Sequence, residues 1–188
     1  VSAKADGAAD IGPLAPYFSR SIDRPDGADI TDLSAYLGTN NSMFDRMRCL
    51  DGAQTFETSL NESGGEDSLL LKQLIMRDRR LAWAADARVT EWAALRRLNW
   101  GYIRKRKFLS GQIRVFVQHM LGARWHHIAF WMAVGLVQFI GAGAAALCLR
   151  FLAPTRADRA AATAFGGLGK LFWTARFRPS LYGSGLVS

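Results

Sequence analysis

Ser63-Gly64-Gly65-Glu66-Asp67-Ser68-Leu69-Leu70-Leu71-Lys72-Gln73-Leu74-Ile75, followed by Leu81-Ala82-Trp83-Ala84-Ala85-Asp86-Ala87-Arg88-Val89-Thr90-Glu91-Trp92, decides how the chain is read. Two glycines deliver an adjacent carboxylate pair to the start of an apolar stretch. Leu69, Leu70, Leu74 and Ile75 recur there at helical spacing, which predicts a helix from Asp67 to about Arg79. In the second segment Leu81, Trp83, Ala85, Ala87 and Val89 alternate. That is the period of a strand, expected over 80–91 and ending on the carboxylate of Glu91.

Upstream, residues 4–18 read as a short strand running into a proline-punctuated turn. Residues 19–34 are polar and rich in aspartate, the composition of a surface loop. Residues 36–44 read as a strand with a polar interruption at Gly38-Thr39-Asn40-Asn41. Downstream, a basic helix or helix pair is expected from about Leu95 to Met120.

The 188 residues suffice for one domain with a sizeable core plus an appendage. Charge is segregated along the chain: −7 over residues 1–70, +10 over 71–124 and +5 over 125–188, within a formal total of +8. Such a switch aims a basic face at something anionic, such as nucleotide phosphates, a lipid pyrophosphate or anionic headgroups. Nucleic acid is disfavoured, because no recognised binding module accompanies the basic residues. Cys49 and Cys148 lie far apart in sequence and argue for a reducing compartment rather than a disulfide framework. The three histidines have no zinc spacing with them.

Residues 128–149 contain no formal charge and are flanked by Arg124 and Arg150. As a helix this stretch rises about 33 Å, close to the hydrocarbon thickness of a bilayer. Trp125 and Trp131 suit the interface, and Gly135, Gly141 and Gly143 suit close helix packing. A membrane-embedded segment over 123–153 is therefore expected, against the alternative of a buried core helix. Basic residues on both sides leave its topology open between a span, a re-entrant element and an in-plane element. The tail, 154–188, carries Phe165, Leu168, Leu171, Phe172 and Trp173 among basic residues and reads as an amphipathic element suited to headgroups.

Glu66 and Asp67 form the pair best placed for acid–base work. A helix start stabilises negative charge, and the glycines allow a close approach. The competing reading is an ordinary helix cap.

The order of these features resembles the bacterial family 2 glycosyltransferases. It runs from an acidic loop through Gly64-Gly65-Glu66-Asp67, an apolar helix and Asp86-Ala87-x-Val89-x-Glu91 to Arg97, Trp100 and Arg106-Lys107-Phe108-x-x-Gly111. The membrane-associated glucosyltransferases of exopolysaccharide assembly, of the succinoglycan type, are closest in pattern. The resemblance runs from about residue 4 to 120. It implies an α/β fold over 1–122, the C-terminal portion of a GT-A nucleotide-sugar fold with a mixed sheet and flanking helices. It implies Asp67 as catalytic base, with Glu66, Glu91, Arg97, Arg106 and, more weakly, Asn40 binding substrate. The implied partners are a UDP-sugar donor, a lipid-linked saccharide acceptor and the membrane. The implied location is the bacterial inner membrane with the catalytic part cytoplasmic. Mg or Mn is expected for a full-length enzyme, with ligands outside this chain. Asp23, Asp26, Asp29 and Asp32 lack the strand-end context of a metal pair. The donor-binding half expected in this family would precede residue 1, so the isolated chain is expected to bind nucleotide sugar weakly and to turn nothing over. The reading from another class is a non-catalytic, membrane-tethered basic module for anionic lipid or polysaccharide.

Overall fold

In the computed structural model, residues 2–5, 11–50, 56–61, 64–177 and 179 are described. The elements in chain order are β1 (Ser2–Ala5), α1 (Ala15–Phe18), α2 (Arg46–Cys49), α3 (Glu66–Met76), β2 (Thr90–Ala93), α4 (Trp100–Met120), α5 (Trp125–Leu149) and α6 (Pro154–Leu171). Short 3-10 turns join several of them. Helices dominate. Of the mixed sheet that the resemblance implies, the described residues carry one parallel pair, β1 on β2, in register from Ser2 opposite Thr90 to Ala5 opposite Ala93.

The three long helices form the frame. Residues 103–112 of α4 meet 158–172, along α6 and its C-cap, in rising order, as with Arg104 against Asp158 and Gln112 against Phe172, so these helices run parallel. Between α5 and α6 the order reverses: Gly135 meets Lys170, and Gln138 meets Thr163. Helix α6 is thus sandwiched, with α4 on one side and an antiparallel α5 on the other. Small residues make the sandwich possible. A Cβ at Gly169 would lie 1.9 Å from the Phe108 carbonyl oxygen, and one at Gly111 would lie 2.1 Å from that of Gly166. At Gly167 it would stand 2.5 Å from the Gly135 oxygen. Only hydrogen at these positions lets the backbones approach so closely.

Three apolar clusters tie the rest to this frame. Ala5, Ile11, Leu14, Phe18 and Ala93 pack on Ile103 and Ala162, seating the strand pair and α1 on α4 and α6. Leu60 and Leu69 pack on Val117, seating α3 on α4. Val115, Ile128 and Trp173 close the far end. Cys49 and Cys148 are both free thiols.

Four sequence expectations meet a different geometry. Helix α3 begins at Glu66 and stops at Met76, because Arg77 leaves helical geometry and Asp78 takes φ 57°. Residues 36–44 form no strand. Thr39 bonds Asp67, Ser42 Oγ donates to the Gly38 carbonyl at 3.1 Å, and Asn41 Nδ2 donates to the Ala87 carbonyl at 2.8 Å. Side-chain bonds of this kind offer the backbone an alternative to a ladder. Of 80–91, only the last two residues join a strand. The start of the segment forms a brief antiparallel ribbon with the aspartate-rich loop, through Trp83 N to the Ala28 carbonyl at 2.8 Å and Ile30 N to the Leu81 carbonyl at 2.8 Å. Finally, α6 buries its small residues, Ala157, Ala162, Ala164 and the glycines, between α4 and α5, so its packing face is spent on the bundle. The short strand read at the start of 4–18 falls at β1, and its proline-punctuated turn folds as a 3-10 turn and α1; residues 6–10, Glu62 and Ser63 lie outside the described residues.

Candidate functional site

One face of α4 packs on α6, and the opposite face walls a broad cleft of about 1880 Å³. The other walls are the start of α3, the 36–43 turn, residues 19–24 after α1, and the 79–84 ribbon. Asn40, Glu66, Asp67, Glu91 and Arg106 all line it, although they come from four separate stretches of sequence.

Asp67 enters the cleft because of its helix start. Gly65 caps α3 at φ 105°, a conformation that side-chain-bearing residues rarely adopt, and a Cβ there would meet Ile113 of α4 at 3.0 Å. The chain therefore turns sharply against α4 and projects the next two carboxylates from the first turn of the helix. Asp67 Oδ2 accepts from Thr39 N at 3.2 Å, and Oδ1 accepts from the Thr39 hydroxyl. A carboxylate has about four acceptor positions, so two Thr39 bonds leave room for a further donor. Beside it, Glu66 Oε2 is buried and has no hydrogen-bond partner among the described residues. An unpaired buried acceptor of this kind costs stability unless a ligand or water supplies the donor.

Arg20 completes the group, and its place in a polar loop gave no hint of that. The position a Cβ would take at Gly38 lies 3.3 Å from Asp67 Oδ2 and 3.7 Å from Arg20 Nη1, so the guanidinium and the carboxylate share one turn. Desolvation lowers the Arg20 pKa from its ordinary value, and Arg106 adds to the lowering, while Glu91 and Asp67 oppose it. Arg106 donates through Nη1 to the Tyr17 carbonyl at 2.9 Å, and its guanidinium lies 5.5 Å from the Phe18 ring centre. Lys107 Nζ stands 5.4 Å from the Tyr17 ring centre, and its pKa is lowered by desolvation first, then by Arg106 and Arg20.

A second cationic group lies further along α4. The Arg114 guanidinium is held between two rings, 5.6 Å from the centre of Tyr36 and 5.2 Å from that of Trp131 on α5. Desolvation and then Arg114 lower the Lys72 pKa. Desolvation, Arg114 and Lys107 lower that of Lys170, whose Nζ donates to Gln138 Oε1. The charges acting on these two lysines are all positive. Lys72 lines the cleft with Arg114, whereas Lys170 lies against Gly135 and Gln138 of α5.

Two residues fall outside this arrangement. Arg97 sits in the 3-10 turn Leu95–Arg97 ahead of the α4 cap, half-buried, and is not part of the cleft wall. Because α4 starts only at Trp100, capped by Asn99 Oδ1 accepting from Tyr102 N at 2.8 Å, it is Arg106 that the helix carries to the cleft. Trp92 is 61% exposed, while Trp83 lines the cleft.

The divalent cation implied by the resemblance finds no fitting residues among those described. Among the described residues no cluster of three or more His, Cys, Asp or Glu side chains is placed to hold a metal ion. Asp29 is spent on Thr31 N at 2.8 Å and on Arg80 at 3.9 Å, and Asp26 on Ala85 N at 2.9 Å. No family model, curated protein or solved structure matches this chain.

Proposed function

We propose that this chain is the acceptor-binding, base-bearing part of an inverting glycosyltransferase, transferring a hexosyl group such as glucose from a nucleotide sugar to a lipid-linked saccharide. In this reading it works at the cytoplasmic side of a bacterial inner membrane, in exopolysaccharide assembly. The observation that carries the proposal is one cleft holding Asp67, Glu66 and Glu91 beside Arg20, Arg106 and Lys107.

The chemistry follows from that pairing of charges. Asp67 takes the proton of the acceptor hydroxyl while the hydroxyl oxygen attacks the sugar C1. The bond from C1 to the phosphate oxygen breaks with inversion, and its electron pair leaves on the diphosphate. Thr39 fixes the carboxylate through two bonds, so that it meets the incoming hydroxyl already oriented. Glu66, on the cleft wall, accepts from a neighbouring hydroxyl of the acceptor sugar. Arg20, Arg106 and Lys107 stabilise the charge gathering on the leaving diphosphate. Asn40, exposed on the rim, contacts the outer saccharide. Arg97 has no part in these steps.

In the full-length protein, Asp67→Asn is expected to lower transfer from the nucleotide sugar about 10²–10⁴-fold while vesicle binding stays unchanged. Unaltered transfer would remove Asp67 from the mechanism. One observation favours a second reading. Arg114 repels both Lys72 and Lys170, and such a group would serve a basic module that only binds anionic lipid or polysaccharide. That reading predicts no transfer from wild type and no effect of Asp67→Asn on any binding.

A further inference from the structure

Helix α5 has two unlike faces. Ile128 and Gly135 are its buried residues, on the side that meets α4 and α6. The opposite side carries Phe130, Leu136, Val137, Ile140 and Leu147, all exposed, with Val137 at 72% and Leu147 at 74%. Phe151, 90% exposed, continues this stripe past the helix end, and Trp125, 70% exposed, begins it. A shallow groove of about 430 Å³ between Phe130, Ala133 and Val137 lies on the same side. A continuous apolar stripe about 37 Å long is more than a solitary soluble chain leaves open to water.

We infer that α5 lies flat in the surface of a membrane, its Phe130–Leu136–Val137–Ile140–Leu147 face sunk in the lipid and its Gly135 face carrying α6 and α4. Length and composition alone would equally permit a span, but the packing does not. Lys170 lies against Gly135, well inside the helix, and Arg114 lies on Trp131. The Arg104–Asp158 pair, 3.1 Å apart, has its Asp158 on α6 five residues ahead of Thr163, which meets Gln138, and the antiparallel register puts it level with the C-terminal half of α5. A span would draw these groups and the cationic cleft wall of α4 to bilayer depth, at about 2.5–3.5 kcal/mol for each charge near the centre. Lying flat, the helix keeps all of them on the water side, while its apolar face sinks roughly 5–10 Å.

Charge selects lipid over a second copy as the occupant. Arg124 and Arg150 flank the stripe, and Arg156 and Arg159 are exposed on the neighbouring α6; the one acid there, Asp158, is already paired with Arg104. Two copies joined face to face would bring these arginines together, whereas anionic headgroups would neutralise them, at about 1 kcal/mol for each cation near the surface.

Depth-dependent quenching on the full chain tests this without reference to transfer. A fluorophore is placed at Cys148 in a Cys49→Ser background, and in turn at Phe130→Cys, Val137→Cys and Ala144→Cys in a background lacking both native thiols. Vesicles of phosphatidylcholine with or without phosphatidylglycerol carry nitroxides at shallow or deep acyl positions. The expected result is one shallow depth at all four sites and binding at least tenfold weaker without phosphatidylglycerol. A depth profile peaking at 137 would establish a span and overturn the inference. Unquenched probes on a particle of twice the chain mass would overturn it in favour of self-association. The doubly substituted Val137→Glu, Ile140→Glu chain, altered only at exposed positions, should keep its helical circular dichroism and leave the vesicles; retention on them would also count against the flat seating.

Discussion

Asp67 owes its orientation to Thr39, a residue twenty-eight positions away that supplies two hydrogen bonds to it. Bonds to a charged group contribute about 1.5–3 kcal/mol. Under the proposed mechanism Thr39→Val, which keeps shape but loses the hydroxyl, is expected to lower kcat roughly 10–100-fold with KM nearly unchanged. Steady-state kinetics on the full-length protein separate the two constants, and a loss confined to KM would mean that Thr39 binds acceptor instead of orienting the base. The carboxylate pair was legible in the sequence because a glycine pair ahead of an apolar helical stretch leaves little choice of geometry. Its surroundings were not. Thr39 stood out only as part of a polar turn, and Arg20 read as one more charge in a surface loop. Which loop folds over which helix end is decided by tertiary contacts, and periodicity carries no information about them.

Among the elements, legibility followed length. The apolar run of α5 and the basic run of α4 were found with their C-terminal ends in place, since many turns of helix average out local irregularity; their starts, read at 128 and about 95, lie at Trp125 and Trp100. Residues 80–91 and 36–44 misled because alternation over a few residues is also what a ribbon or a turn can show. Here the backbone donors and acceptors were claimed by Thr31, Asp26 and the 27–30 loop before a wider ladder could form. The contact that sequence reasoning placed least well is the glycine seam of α4, α6 and α5. Gly169→Ala would force a methyl to within 1.9 Å of the Phe108 carbonyl oxygen, so the helices must part. Overpacking of this kind costs about 1–3 kcal/mol or more. Gly143, with nothing within 4 Å of its Cβ position, provides the contrast. Gly143→Ala is expected to gain about 0.5–1 kcal/mol from the lower entropy of alanine in a helix. Thermal unfolding of both variants should move Tm in opposite directions; a common direction would mean that α4, α5 and α6 are not packed through this seam.

The molecule as a whole is stiff on one side of its cleft and soft on the other. Three long helices, pinned by glycine contacts and by Ile103, Leu109, Val115 and Val117, form the inner wall. The outer wall, residues 19–50 and 77–89, has Ile30 as its one buried residue among those described. Segments with so few buried apolar contacts open locally at little free-energy cost. Amide hydrogen exchange of the full chain should therefore show slow exchange through α4 and α6 and fast exchange across both outer segments. Pyrophosphate then provides a sharper measurement. If Arg20, Arg106 and Lys107 converge on a diphosphate, binding must pull residues 19–24 against α4, and their exchange should slow severalfold while 77–89 stays fast. The turn at 36–42, tied to Asp67 through Thr39, should follow 19–24. Uniform exchange with and without pyrophosphate would mean that the cations of α4 face an anion that the outer wall never touches, and the leaving-group role of Arg20 would fall with it.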